Sequence, residues 1–259
     1  MKQFLSAPLL LVACLLSCSS ASADPPVHYL HNGILVPGAI GTAQLQRGGP
    51  LPGYFQPMEV SAPAGTAIAV ADQNQFTVPQ PAPLKAGMMI GPVYRLRVTN
   101  IPQHTGEEVY PTIEVINRLY PPCGEELKFP VPIELAQEDL VAAIDGRFVT
   151  RIVYVENPRA AYPRVEDPHF QLTVECSPKD DPLVMADRLG RPIAIVRIGG
   201  RIPTNTANPD SDFMYNSPPL LLFNQRAGAP PVEPLNVMNR LPAREMTANS
   251  QSNSAAMAR

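Results

Sequence analysis

The chain has 259 residues, a net charge of -3, an isoelectric point near 5.8, 32 prolines, four cysteines and no tryptophan. That balance argues against a nucleic-acid partner, which needs a concentrated basic surface. The proline content excludes a helix bundle, because proline removes a backbone donor and breaks helix interiors, whereas β proteins carry it at edges and turns.

Lys2 precedes an apolar run from Phe4 to Leu16, interrupted by Ser6 and Pro8. The run is too short for a permanent bilayer span and has the form of an export signal. Two processing sites compete behind it. Ala21-Ser22-Ala23 is an A-x-A site that would release a soluble protein beginning at Asp24. Leu15-Leu16-Ser17-Cys18 resembles the lipobox of bacterial lipoproteins, although Leu16 is larger than the residue usual at that place. The resemblance implies acylation of Cys18 and, with the non-acidic Ser19 next, transfer to the outer membrane. Each buried methylene contributes about 0.8 kcal/mol, so more than one chain anchors stably. The expected location is therefore the cell envelope, as an outer-membrane lipoprotein, with a soluble periplasmic or secreted protein as the alternative.

Residues 18–57 are Gly- and Pro-rich without a sustained hydrophobic period, and read as a linker. Residues 58–203 read as the folded body. Strands are predicted at MEVSA, TAIAVA, QFTV and VYRLRVT, the last with Tyr94, Leu96 and Val98 on one face and Arg95 and Arg97 on the other. The chain then turns through IPQHTGEE and returns as TIEVINRL, an antiparallel hairpin with a longer loop. FPVPIEL, FVTRIVYVE, HFQLTVEC and IAIVRI follow, with FVTRIVYVE apolar enough on both faces to suit a central strand. Two short helices are predicted. AQEDLVAAID has acids in its first turn and Gly146 where a left-handed cap belongs; PLVMADRL has Asp181 as N-cap and Pro182 at its first position. Gly146-Arg147 and Gly190-Arg191 then form similar corners into strands. Residues 204–259 read as a flexible tail, with the apolar island Pro218 to Phe223 either docking, on a partner or back on the body, or simply a stray part of the tail.

The fold class expected is mainly β: an antiparallel β-sandwich with two short helices and flexible flanks, its sheet-to-sheet crossings carrying single helical turns. The alternative is α+β, with residues 129–198 as a split βαβ unit. Cys14 leaves with the signal and Cys18 is lipidated or lost. Cys123 and Cys176 thus remain as an even pair, expected as a disulfide that would contribute about 4 kcal/mol in the chain-entropy treatment.

Motifs for catalysis are absent: no G-x-S-x-G, H-E-x-x-H, P-loop, EF-hand loop or C-x-x-C occurs. His28 and His31 have helical metal-ligand spacing, yet Asn32-Gly33 beside them forces a turn. His104, Glu107 and Glu108 could chelate a metal or act as base and acid, against the simpler reading of a solvated hairpin tip. Asp167-Pro168-His169 has the form of an acid-oriented histidine, without an assignable nucleophile. Arg188, Arg191, Arg197 and Arg201 invite a phosphate or carboxylate, though alternating outward strand positions account for them too. Gly190 and Gly199-Gly200 are too far apart, and wrongly placed, for a nucleotide loop. The sequence leads to a non-enzymatic envelope or secreted β protein, binding an unknown envelope protein or glycan or serving structurally, with no cofactor, metal or catalytic residue assigned. The alternative is an exported hydrolase or metal-dependent enzyme using His104, Glu107, Glu108 or His169.

Overall fold

The computed structural model describes residues 36–49, 52–159, 171–177, 179–205 and 209–223. The elements in chain order are α1 (Ala39–Gln46), β1 (Phe55–Ser61), β2 (Ala67–Asp72), β3 (Gln75–Phe76), β4 (Gln80–Pro81), β5 (Leu84–Met89), β6 (Val93–Thr99), β7 (Thr112–Val115), β8 (Val131–Glu134), α2 (Gln137–Ile144), β9 (Val149–Glu156), α3 (Pro182–Leu189), β10 (Gly190–Ile198) and β11 (Leu220–Leu222).

The strands build two sheets. The shorter has the order β11-β5-β1-β8, antiparallel except for the parallel β1–β8 pair. The longer has the order β3-β2-β6-β7-β10-β9, with β4 also paired to β2 and every pairing antiparallel. Because side chains alternate across a strand, each sheet turns one apolar set inward. Met58, Val60, Ala86, Met88 and Ile133 of the shorter sheet meet Ile68, Tyr94, Leu96, Ile113 and Val196 of the longer in one continuous core. The described residues form a mainly antiparallel β-sandwich, as their strand periodicity predicts. The split βαβ alternative does not form: β8 lies in the shorter sheet, while β9 and β10 are antiparallel neighbours in the longer. α2 is instead the crossing between sheets.

Local chemistry explains the helices. The Asp181 side chain accepts from the Leu183 N–H at 2.8 Å with Pro182 next, and Gly146 takes φ +81° beyond α2. Three expectations are corrected. FVTRIVYVE forms β9, an edge strand with mostly half-buried positions, so its apolar character reflects the helix α3 packed on it rather than a central place. Residues 171–176 of HFQLTVEC form no strand. Cys123 and Cys176 are free thiols, the first exposed in a turn and the second half-buried; the strand end that was to deliver Cys176 is not there.

The flanks also contribute more than a linker and a tail. Residues 39–46 form α1, whose Ile40 joins Ile116, Leu183 and Ile195 in a small cluster on the outer face of the longer sheet. Gly41 is the reason α1 can sit there. A Cβ on it would lie 2.7 Å from the Gly91 Cα, so only hydrogen fits, and the Gly41 N–H donates to Glu114 Oε1 at 2.9 Å. In the C-terminal part, Phe213 and Met214 pack on Ala71 and Tyr110, and the apolar island returns to the body as β11 beside β5. The Cys18 and Asp24 processing sites, His28, His31 and Asp167 to His169 lie outside the described residues. Among the described residues no helix is long and apolar enough to cross a membrane.

Candidate functional site

Three polar regions stand out on the sandwich. The first is the β6–β7 hairpin loop. Val98 and Val109 close it by mutual backbone hydrogen bonds, and Gln103 and Gly106 turn its tip with positive φ. This turn brings His104 Nδ1 to 2.8 Å from Glu107 Oε2, on a half-exposed side chain. Glu108 points elsewhere. It accepts from Arg97 Nε at 3.0 Å, from Arg97 Nη2 and from the Tyr110 hydroxyl. Hydrogen bonding to Arg97 holds the Glu108 carboxyl below its usual range, and Tyr110 adds to this. Burial first, and Glu108 second, push the Tyr110 hydroxyl up to about 12.

Glu107 and Glu108 line an open cleft of about 270 Å³ with Val109, Ala143, Ile144, Gly199, Gly200 and Ile202. The structure therefore joins two of the three residues of the sequence-predicted acid–base set at one cleft and hydrogen-bonds the third to one of them. Their chemistry is limited. A glutamate with a lowered pKa, already accepting from a guanidinium and a phenol, is a weak proton acceptor and has little capacity left for a metal. No Ser, Thr or Cys lines the cleft among the described residues, and no group of three metal-ligating side chains occurs among them.

The second region is the outer face of the longer sheet, where the pleat places Arg95, Thr112, Glu114 and Arg197. Arg197 and Glu114 are buried and joined by a 2.8 Å ion pair. Arg95, expected on a solvent face, is also buried: it donates to the Phe213 carbonyl at 3.0 Å and the Tyr110 carbonyl at 2.8 Å, and lies over the Phe213 ring at 4.4 Å. Burial lowers its pKa. Arg97 keeps a partly exposed side chain and the Glu108 pair. The outward alternation is right, but residues 209–217 and α1 roof the face, so Arg95 and Arg197 serve architecture. Arg201 stacks on Phe213 at 5.8 Å, and Arg188 is exposed.

The third region is at the far end of β7. Ile116 and Asn117 both donate to the Ile193 carbonyl, and Leu119 N–H donates to Gln56 Oε1 at 2.8 Å, fixing residues 116–119 against both sheets. Arg191, at the start of β10, donates to Asn117 Oδ1 at 3.2 Å and to the Arg118 carbonyl at 2.5 Å. The Arg118 guanidinium lies 4.4 Å from the Tyr120 ring centre and 5.1 Å from that of Tyr54; Arg191 lies 5.1 Å from Tyr120. Burial lowers the Arg191 pKa; Tyr120 opposes that shift, and the neighbouring Arg118 charge adds a smaller push downward. Sequence reasoning singled out Arg191 alone. Arg118 and Tyr120 sit two residues apart in the β7–β8 connection, a spacing that carries no motif, and Tyr54 before β1 and Arg191 of β10 join them only when the sheets pair. No family model, no curated protein and no solved structure matches the chain.

Proposed function

We propose that the chain is an exported, non-enzymatic β-sandwich of the cell envelope that binds a protein or glycan there or serves structurally, held by an acylated Cys18 or released at Asp24. One observation carries the reading: Glu108, the acid of the hairpin cleft, is bound by Arg97 and Tyr110 as part of the sheet's own polar lattice. Tyr120, by contrast, remains 64% exposed between two guanidiniums, the kind of rigid amphipathic ring that binding surfaces use. The enzymatic alternative rests on the His104–Glu107 pair and needs a turnover that those two groups control.

The two readings separate in one experiment. The purified mature chain is sedimented with isolated envelope fractions while soluble products are followed by mass spectrometry. Saturable retention that survives His104→Ala and Glu107→Gln supports the binding reading. Release of product that disappears in both variants overturns it. The N-terminal peptide from the same material reports an acylated Cys18 or a free Asp24.

A further inference from the structure

We propose that Arg118 and Arg191, with the rings of Tyr54 and Tyr120, form a binding site for an oxyanion, a carboxylate or phosphate group carried by an envelope ligand. Two guanidiniums stand beside the same ring, and neither has a carboxylate partner among the described residues. This contrasts with Arg97, Arg151 and Arg197, which each have one. Like charges brought together in a half-buried place destabilise each other unless an anion joins them.

Arg118 is the open member. Its guanidinium makes no hydrogen bond among the described residues, and its Nε is buried without a partner. Arg191 is the fixed member, held by Asn117 Oδ1 and the Arg118 carbonyl, which leaves its other fork donors available. A planar fork offers two parallel N–H donors, the geometry that two oxygens of a carboxylate or phosphate accept. Tyr120 stacks against both guanidiniums and restricts their rotation while offering its exposed ring to a sugar or aliphatic portion of the ligand. Glu126 acts through its charge on Tyr54, and its Oε1 accepts from the Gly124 N–H at 3.2 Å.

The inference rests on the binding reading above for its choice of ligand, and its test is separate. The chain has no tryptophan, so Tyr120→Trp introduces a single fluorescent reporter, used beside calorimetry on the unaltered mature chain. Inorganic phosphate, an oligogalacturonate and a neutral oligosaccharide of equal length are titrated. Saturable binding of either oxyanion, weakened by added salt and by about tenfold or more in Arg118→Gln, is expected; the arm that responds identifies phosphate or carboxylate. The neutral sugar should give no oxyanion-like, salt-sensitive response. Arg191→Gln should act likewise, and if it unfolds, Arg118→Gln still decides, because the Arg118 guanidinium makes no hydrogen bond among the described residues. Failure of both oxyanions to bind by roughly 10 mM, or binding unchanged in a folded Arg118→Gln chain, overturns the site. Envelope retention that persists in Arg118→Gln would leave the broader binding role standing without it.

Discussion

At Glu114 a single carboxylate gathers three parts of the chain: its own strand, the Arg197 guanidinium of β10 and the Gly41 N–H of α1. With no exposed surface on Glu114 and little on Arg197, water cannot replace a lost partner. Glu114→Gln should therefore destabilise the fold by about 3 kcal/mol in urea unfolding, because Arg197 would be left buried with a neutral neighbour. Removing both charges together, as Glu114→Leu with Arg197→Met, should recover much of that loss. The half-exposed Lys85–Glu59 pair sets the contrast, since disrupting it should change stability by less than about 1 kcal/mol. Glu108 gives the acid dependence. Its carboxyl is held below the usual range in the folded chain, so its contribution is present above the ordinary carboxylate pKa and is lost as pH falls through the depressed folded value. Urea midpoints measured from about pH 6 to pH 2 should fall less steeply for Glu108→Gln than for the unaltered chain.

Elements read well from the sequence where alternation was strong and less well where burial came from afar. β2, β6, β7 and β10 follow their predicted segments because each has an apolar face that only a sandwich core satisfies. β5 was missed. Its segment LKAGMM carries Gly87 at a position where Phe223, Leu221 and Phe55 crowd in from neighbouring strands, so the packing that defines it is tertiary. α1 was read as linker for a related reason: its short helix gains its place from Gly41 lying against Gly91 and from the Glu114 carboxylate, neither visible in a local window. Gly41→Ala should push α1 off that seat and break the Gly41–Glu114 hydrogen bond. A loss of about 2 kcal/mol is expected, together with faster amide exchange confined to residues 39–46. At the candidate sites, the His104–Glu107 pair was legible as three-residue spacing in a turn. The cluster around Arg118 and Tyr120 was not, since Tyr54 and Arg191 reach that pair only after both sheets form.

On the scale of the molecule, the C-terminal segment joins the two layers. Phe213 lies on the outer face of the longer sheet and β11 then becomes an edge of the shorter, while the Tyr94 hydroxyl, accepting from Met89 N–H, donates to the Pro219 carbonyl at 2.8 Å. Truncation after residue 205 should therefore uncover Arg95 and Tyr110, lower the unfolding temperature by more than 10 °C, and increase binding of a hydrophobic dye. Phe213→Ala alone should cost about 3 to 5 kcal/mol.

That closing segment also dictates when the molecule can finish folding. A polypeptide synthesised from its N-terminus releases β1 through β10 before it releases β11, so the last strand of the shorter sheet is among the last to arrive. The nascent chain stays incompletely sealed until residues 220–222 are free to pair with β5, and its two layers lock together only then.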